Sequence, residues 1–172
     1  RHRAHWAVAG AEPPLPVFPV LQIAEGLPLL RPPTEGQDIA ADYQSLGLTL
    51  GRHPLALLRA RLRRQGISTA IELQEARDEA RVHAAGIVTT RQRPGSAGGV
   101  TFVTLEDETG YINLIVWRQL AERQRRVLLE SRLMGVRGRL QRQGDVLHVV
   151  ALCLEDHSAL LGQLPARSRD FA

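Results

Sequence analysis

The sequence predicts a mainly β fold with flanking helices: a five-stranded Greek-key barrel, preceded by a small helical segment and a Pro-rich linker. Three observations predict it. Residues 89–117, TTRQRPGSAGGVTFVTLEDETGYINLIVW, read as three strands joined by two turns of different kinds. RPGSAGG is a Gly/Pro/Ser loop, and EDETG is a tight turn ending in the glycine that a left-handed position favours. A charged helical stretch and two further apolar strands, parted by Gln143-Gly144-Asp145, complete the order β-β-β-α-β-β.

The elements follow in chain order. Seven of the ten prolines fall in the first 36 residues, where PPLPVFP and RPPTEG interrupt every periodic pattern, so residues 1–36 read as an extended linker. Residues 37–80 read as a helical connector. Ile39, Tyr43 and Leu46 are at helix spacing, and Gly47 stops that helix. A second helix starts near Pro54, with Leu55, Leu58 and Leu62 on one face and Gly66 as its stop. Arg59, Arg61, Arg63 and Arg64 occupy its other face, either solvated or against phosphate. A short helix near Thr69–Arg77 leads into the barrel, placed at residues 81–156.

Strand 1 spans Val82–Gln92, strand 2 Val100–Leu105 and strand 3 Tyr111–Trp117. A helix runs from Arg118 to about Glu130, with Leu120, Gln124, Val127 and Leu128 inward. Strands 4 and 5 are Leu133–Gln141 and Val146–Leu154. Residues 157–172 form a C-terminal tail. This order is that of the oligonucleotide-binding (OB) barrel, whose strand 2 and 3 face and loops 1-2 and 4-5 usually carry the ligand.

Period-two alternation then sorts side chains between the faces. Val103, Leu105, Ile112, Leu114 and Val116 suit the interior. Phe102, Thr104, Tyr111, Asn113, Ile115 and Trp117 are left outside. Three rings around one amide suit unpaired bases, because a base-aromatic stack is worth about 1 to 3 kcal/mol and tolerates any sequence. The alternative is that Phe102 and Trp117 pack under the strand 3 to helix connection or against the preceding helices. Arg91 and Arg93 border loop 1-2, while Arg137, Arg139 and Arg142 lie on strand 4 and toward loop 4-5. Together they would line a groove for a phosphate backbone.

Composition narrows the alternatives. All 22 basic residues are Arg, whose guanidinium stacks on bases and forks onto phosphate, yet the net charge is only +4. The single cysteine, Cys153, excludes an internal disulfide and suggests an intracellular setting, with the thiol buried in VLHVVALCL. No stretch approaches a membrane span, and no signal peptide is legible. The chain begins at Arg1 rather than Met, as a piece of something longer would. Glu106, Asp107 and Glu108 sit in a hairpin turn, where carboxylates more often build the turn than bind metal. His2 and His5 lie at the terminus, and His53, His83, His148 and His157 are scattered. No phosphate loop, nucleophile elbow or Cys/His zinc spacing is present, so no catalytic residue, metal ligand or cofactor site is assigned.

The runs GIVTTRQRPGSAGGVTFVTLEDETGYINLIVW, SRLMGVRGRLQRQGDVLHVVA and SRDF resemble the C-terminal region of bacterial error-prone C-family DNA polymerases, paralogues of the polymerase III alpha subunit. DYQSLGLTLGRHPLALLR resembles the segment joining their helix-hairpin-helix region to the OB domain. The resemblance runs from about Asp38 onward. It implies a DNA-directed DNA polymerase used in damage-induced mutagenic and translesion synthesis, bacterial and cytoplasmic, near the nucleoid. The domains holding its two Mg2+ ions are not in this sequence. Its accessory partners would be Y-family-like and RecA-like proteins. The barrel would engage single-stranded template DNA through Phe102, Asn113 and the Arg91/Arg93 loop. Replicative relatives carry a sliding-clamp motif where this chain has PLPVF, so Leu15 and Phe18 are candidate clamp anchors without the leading Gln. An OB module that docks accessory proteins or the clamp is the alternative, and an anticodon-binding or exonuclease-subunit barrel a third reading.

Overall fold

A computed structural model describes residues 33–46, 51–144, 146–162 and 169–171. Most of the Pro-rich linker, with Leu15 and Phe18, lies outside the described residues. The first helix, α1, spans Glu35–Leu46 and carries Glu35 and Asp38 in its first turn, where acidic groups complement the helix dipole. Pro54 opens α2 (Pro54–Arg64), and His53 Nδ1 accepts the Leu55 amide at 3.2 Å. A capping box closes the start of α3 (Ala70–Glu75). The Thr69 hydroxyl accepts from the Glu72 amide, and the Glu72 carboxylate accepts from the Thr69 amide at 2.8 Å.

Five strands close into a barrel: β1 (Arg81–Gln92), β2 (Thr101–Asp107), β3 (Gly110–Val116), β4 (Leu133–Gln143) and β5 (Val146–Asp156). Around the ring, β1 pairs with β2, β2 with β3, β3 with β5, β5 with β4, and β4 with β1. All pairs are antiparallel except β3 with β5. Residues assigned from sequence to the tail contribute a further strand, β6 (Arg169–Phe171), parallel to the end of β1.

Alternation fills the barrel. Val103, Leu105, Ile112, Leu114, Val116, Met134, Val136, Leu140 and Val149 are buried in one cluster, each side chain contributing about 1.5 to 3 kcal/mol of transfer free energy. Both ends are plugged. Ala70 and Leu73 of α3 close the end at the β2–β3 turn, and Leu120 and Leu128 close the other. Gly138 is required by close approach, since a Cβ there would lie 2.4 Å from the Val150 carbonyl oxygen.

The single helix expected at 118–130 is two short ones, α4 (Arg118–Arg123) and α5 (Arg125–Glu130), broken at Gln124. The break has a cause. Beyond Val150, the partner of Ile115, no pairing of β5 with β3 is seen, and the Gln124 amide takes over there. Its Nε2 donates to the Leu154 carbonyl at 3.0 Å, and its Oε1 accepts the Leu154 amide at 2.8 Å. Cys153, expected to be buried, is half-buried beside it.

A second apolar cluster joins Leu55, Leu62 and Ile67 to Ala85, Ile87, Leu133 and Leu161. It places α2 over the outer side of β1 and β4. The outer side of β2 and β3 carries Phe102, 36% exposed, and Tyr111, 65% exposed. No helix among the described residues is long and apolar enough to cross a membrane.

Candidate nucleic-acid interface

The outer face of β3 sets Tyr111, Asn113 and Ile115 in line at the two-residue repeat of a strand, and Trp117 follows as the residue that caps α4. Trp117 therefore stands just past the strand rather than in it, 56% exposed. Register fixes the neighbours. Phe102 lies opposite Ile115, Thr104 opposite Asn113 and Glu106 opposite Tyr111. On the other flank, Asn113 pairs with His148 and Ile115 with Val150. The Thr104 hydroxyl donates to the Asn113 side-chain oxygen at 3.3 Å and orients the amide.

Phe102, Thr104, Tyr111 and Asn113 thus share one side of the barrel, and Trp117 is exposed just past the end of β3. Beside them, Tyr111, Asn113, Gln74, Arg142 and Val146 line a groove of about 540 Å³ between α3 and the β4–β5 hairpin. Rings spaced along a strand with a polar amide between them can stack on bases and hydrogen-bond their edges.

The arginines divide. Arg91 is a correction: it is only 6% exposed and points into the end of the barrel. Its Nε donates to the Leu128 carbonyl at 2.6 Å, and its terminal nitrogen to the Ser131 carbonyl, so its guanidinium is engaged in holding the end of α5. The cause is a register shift between Val88 and Thr90, which inserts one residue into β1 and reverses the parity beyond it. Arg93 is exposed on loop 1-2. It shares a concavity with Arg118, Glu122 and Arg125 at the α4–α5 surface. Hydrogen bonding and charge from Arg118, with a smaller contribution from Arg93, hold the Glu122 carboxyl below its ordinary range.

Arg137 and Arg139 face outward with carboxylate partners, Glu155 at 2.8 Å and Glu79 at 3.0 Å. Such exposed pairs are worth about 0 to 1 kcal/mol, and both arginines lie on β4, which is not a neighbour of β2 or β3 around the ring. The Arg142 guanidinium donates to the Gln74 carbonyl at 2.9 Å, at the end of α3. On α2, Arg59 binds Glu108 and reaches Asp107 at 3.5 Å, and Arg63 pairs with Glu72 at 3.1 Å. Arg61 and Arg64 are exposed.

Sequence reasoning did not anticipate His148 and Val150 beside Asn113 and Ile115, or Arg118 and Arg125 beside Arg93. The first two arrive through the parallel β3–β5 closure, a long-range register with no local signature. Arg118 and Arg125 carried a signal, as basic residues of the capping helices near loop 1-2. The acidic turn does build structure. Asp107 Oδ1 accepts from the Thr109 amide and hydroxyl, each at 2.7 Å, and from the Gly110 amide at 3.0 Å.

Residues 82–156 match the family model described as an OB-fold nucleic acid binding domain. Over 99% of its length the chain is similar to the error-prone DNA polymerase of Alkalilimnicola ehrlichii, at 58% identity across 17% of that protein. It is 52% identical to the error-prone DNA polymerase of Methylococcus capsulatus, again over 99% of this chain and 16% of the relative. The chain therefore spans about a sixth of the length of these curated relatives. Among solved structures, asparaginyl-tRNA synthetase from Pyrococcus horikoshii aligns with 45% of this chain and 20% of its own, at 24% identity and a TM-score of 0.39.

Proposed function

From a chain that is homologous along nearly its whole length to proteins named error-prone DNA polymerase, and that carries an OB-fold nucleic-acid-binding domain, we propose a single-strand-binding module of such a polymerase. It grips unpaired template DNA during damage-induced mutagenic and translesion synthesis. One observation carries the reading: Phe102 and Tyr111 are exposed on the same side of the barrel as Asn113, with Trp117 exposed just past the strand. Large rings left in water beside an oriented amide fit base stacking. Rim arginines, Arg93 foremost and Arg118 and Arg125 beside it, supply the phosphate contacts.

In this reading the polymerisation chemistry, with its Mg2+ ions, belongs to domains outside this sequence. The barrel positions the strand and catalyses nothing. Accessory Y-family-like and RecA-like proteins, and the sliding clamp through Leu15 and Phe18, remain partners of the wider assembly in a bacterial cytoplasm. The test is fluorescence anisotropy of the 172-residue chain with single-stranded and duplex oligonucleotides at two salt concentrations. Preference for the single strand is expected, with log affinity falling linearly in log salt. Salt-independent or absent DNA binding would turn the same face into a protein-docking surface.

A further inference from the structure

His83 on β1, Glu155 near the end of β5 and His157 just beyond it are dispersed in sequence, yet the barrel brings one donor atom of each within 4.8 Å of the others. Glu155 Oε2 lies 3.2 Å from His83 Nε2 and 3.3 Å from His157 Nε2. A tetrahedral ion with ligand bonds of about 2.0 to 2.1 Å sets its ligands about 3.3 Å apart. Both carboxylate–imidazole separations match that spacing, and the two imidazole nitrogens lie within 4.8 Å of each other.

We propose that His83, Glu155 and His157 form a binding site for a divalent transition-metal ion of the Zn2+ class. Two further observations point the same way. His157 Nε2 is buried and has no hydrogen-bond partner, because its approach to Glu155 lacks hydrogen-bond geometry. A buried ring nitrogen left that way costs free energy that a metal bond removes. The floor of the site is Gly135, which pairs with Ala85 on one side and Glu155 on the other. A Cβ there would lie 2.7 Å from His157 Nε2, so any other residue would intrude on that nitrogen.

Arg137 settles the division of labour within Glu155. Its Nε forms an ion pair with Oε1 at 2.8 Å, which leaves Oε2 facing the two imidazoles. That ion pair places a positive charge behind the carboxylate, as outer partners commonly do at metal centres. Two imidazoles and one carboxylate are the donor set that Zn2+ takes, with water completing the coordination. The ion would link β1 to the end of β5 across β4, on the barrel side away from the exposed rings of β3.

Titration of the full chain with Zn2+ by calorimetry, and with Co2+ by visible absorption, tests the site. One equivalent of Zn2+ is expected to bind, and Co2+ to give the intense absorption of a four-coordinate centre. His83→Gln and His157→Gln should each weaken binding at least about 10-fold, and the metal should raise the Tm of the unaltered protein but not of the double variant. Gly135→Ala should weaken binding while both imidazoles remain. Absence of saturable Zn2+ binding would overturn the proposal. So would affinity unchanged in the double variant, which would assign the ion to other histidines such as His2 and His5.

Discussion

The backbone amide of Ala70 donates to the Asp107 carboxylate at 2.7 Å and so joins the start of α3 to the β2–β3 turn. The same carboxylate takes the Thr109 and Gly110 amides, and the Arg59 guanidinium stands beside it. One buried side chain thus anchors a helix, a turn and the α2 arginine. Asp107→Ala leaves three amide donors without their acceptor, and a loss of about 3 kcal/mol in urea unfolding is expected. Asp107→Asn should recover only part of it, because its NH2 group opposes donors that the second oxygen accepted.

Gly138 offers a steric counterpart. A methyl group there meets the Val150 carbonyl at 2.4 Å, and backbone on the partner strand cannot yield as the tip of a side chain would. Gly138→Ala is expected to lower stability by about 1 to 3 kcal/mol, the usual range for overpacking, in the same unfolding measurement. Gly144→Ala, in open space at a φ of 60°, should lose less, since only backbone strain opposes it.

What the sequence made legible follows from which rules are local. The faces of β2 and β3 could be read because each is a short strand with unbroken alternation, and Phe102, Thr104, Tyr111 and Asn113 fell out of that pattern together. Arg91 could not be placed, because alternation fails where β1 takes an extra residue between Val88 and Thr90. The break at Gln124 was equally hidden. Its cause is a pair of bonds to Leu154, thirty residues away. His83 and His157 looked scattered because their convergence needs the whole barrel.

The two arginines of loop 1-2 should therefore separate cleanly. Arg91→Ala removes a buried guanidinium from the Leu128 and Ser131 carbonyls and is expected to cost about 2 to 3 kcal/mol of stability. Arg93→Ala touches no such bond and should leave the melting temperature within a degree or so. On single-stranded DNA the order reverses: Arg93→Ala should reduce the slope of log affinity against log salt by about 0.7. If Arg91→Ala changed the slope while its fold stayed intact, the inward placement of Arg91 would be wrong for the protein in solution.

For the rings, Trp117→Ala and Tyr111→Ala should each weaken single-strand binding by about 1 to 3 kcal/mol. Both side chains stand largely in water, so stability should hardly move. Phe102→Ala should show a similar binding loss with a small stability cost, because this ring is less exposed and pairs across the strands with Ile115. Anisotropy beside a thermal melt of each variant separates the two effects. Unchanged affinity in all three would remove the base-stacking face.

Stability should fall toward acid pH in two stages. Burial lowers the His53 pKa below its ordinary value, against the opposing pull of Glu106, Glu108 and Asp107. The folded state then binds fewer protons at this site than the unfolded chain, so its contribution is complete above about pH 6.5 and declines as the pH drops below. Glu72, Glu108 and Asp156 add the lower stage. The Thr69 amide lowers Glu72; Arg59 lowers Glu108 and Ser158 lowers Asp156, each against its own burial. Depressed carboxyl groups stabilise the fold above their unfolded values of about 4 and lose that effect as the pH falls further. Melting temperature measured from pH 8 to pH 3 should show both stages. His53→Asn, which keeps a side-chain acceptor at the start of α2, should flatten the upper one and leave the lower.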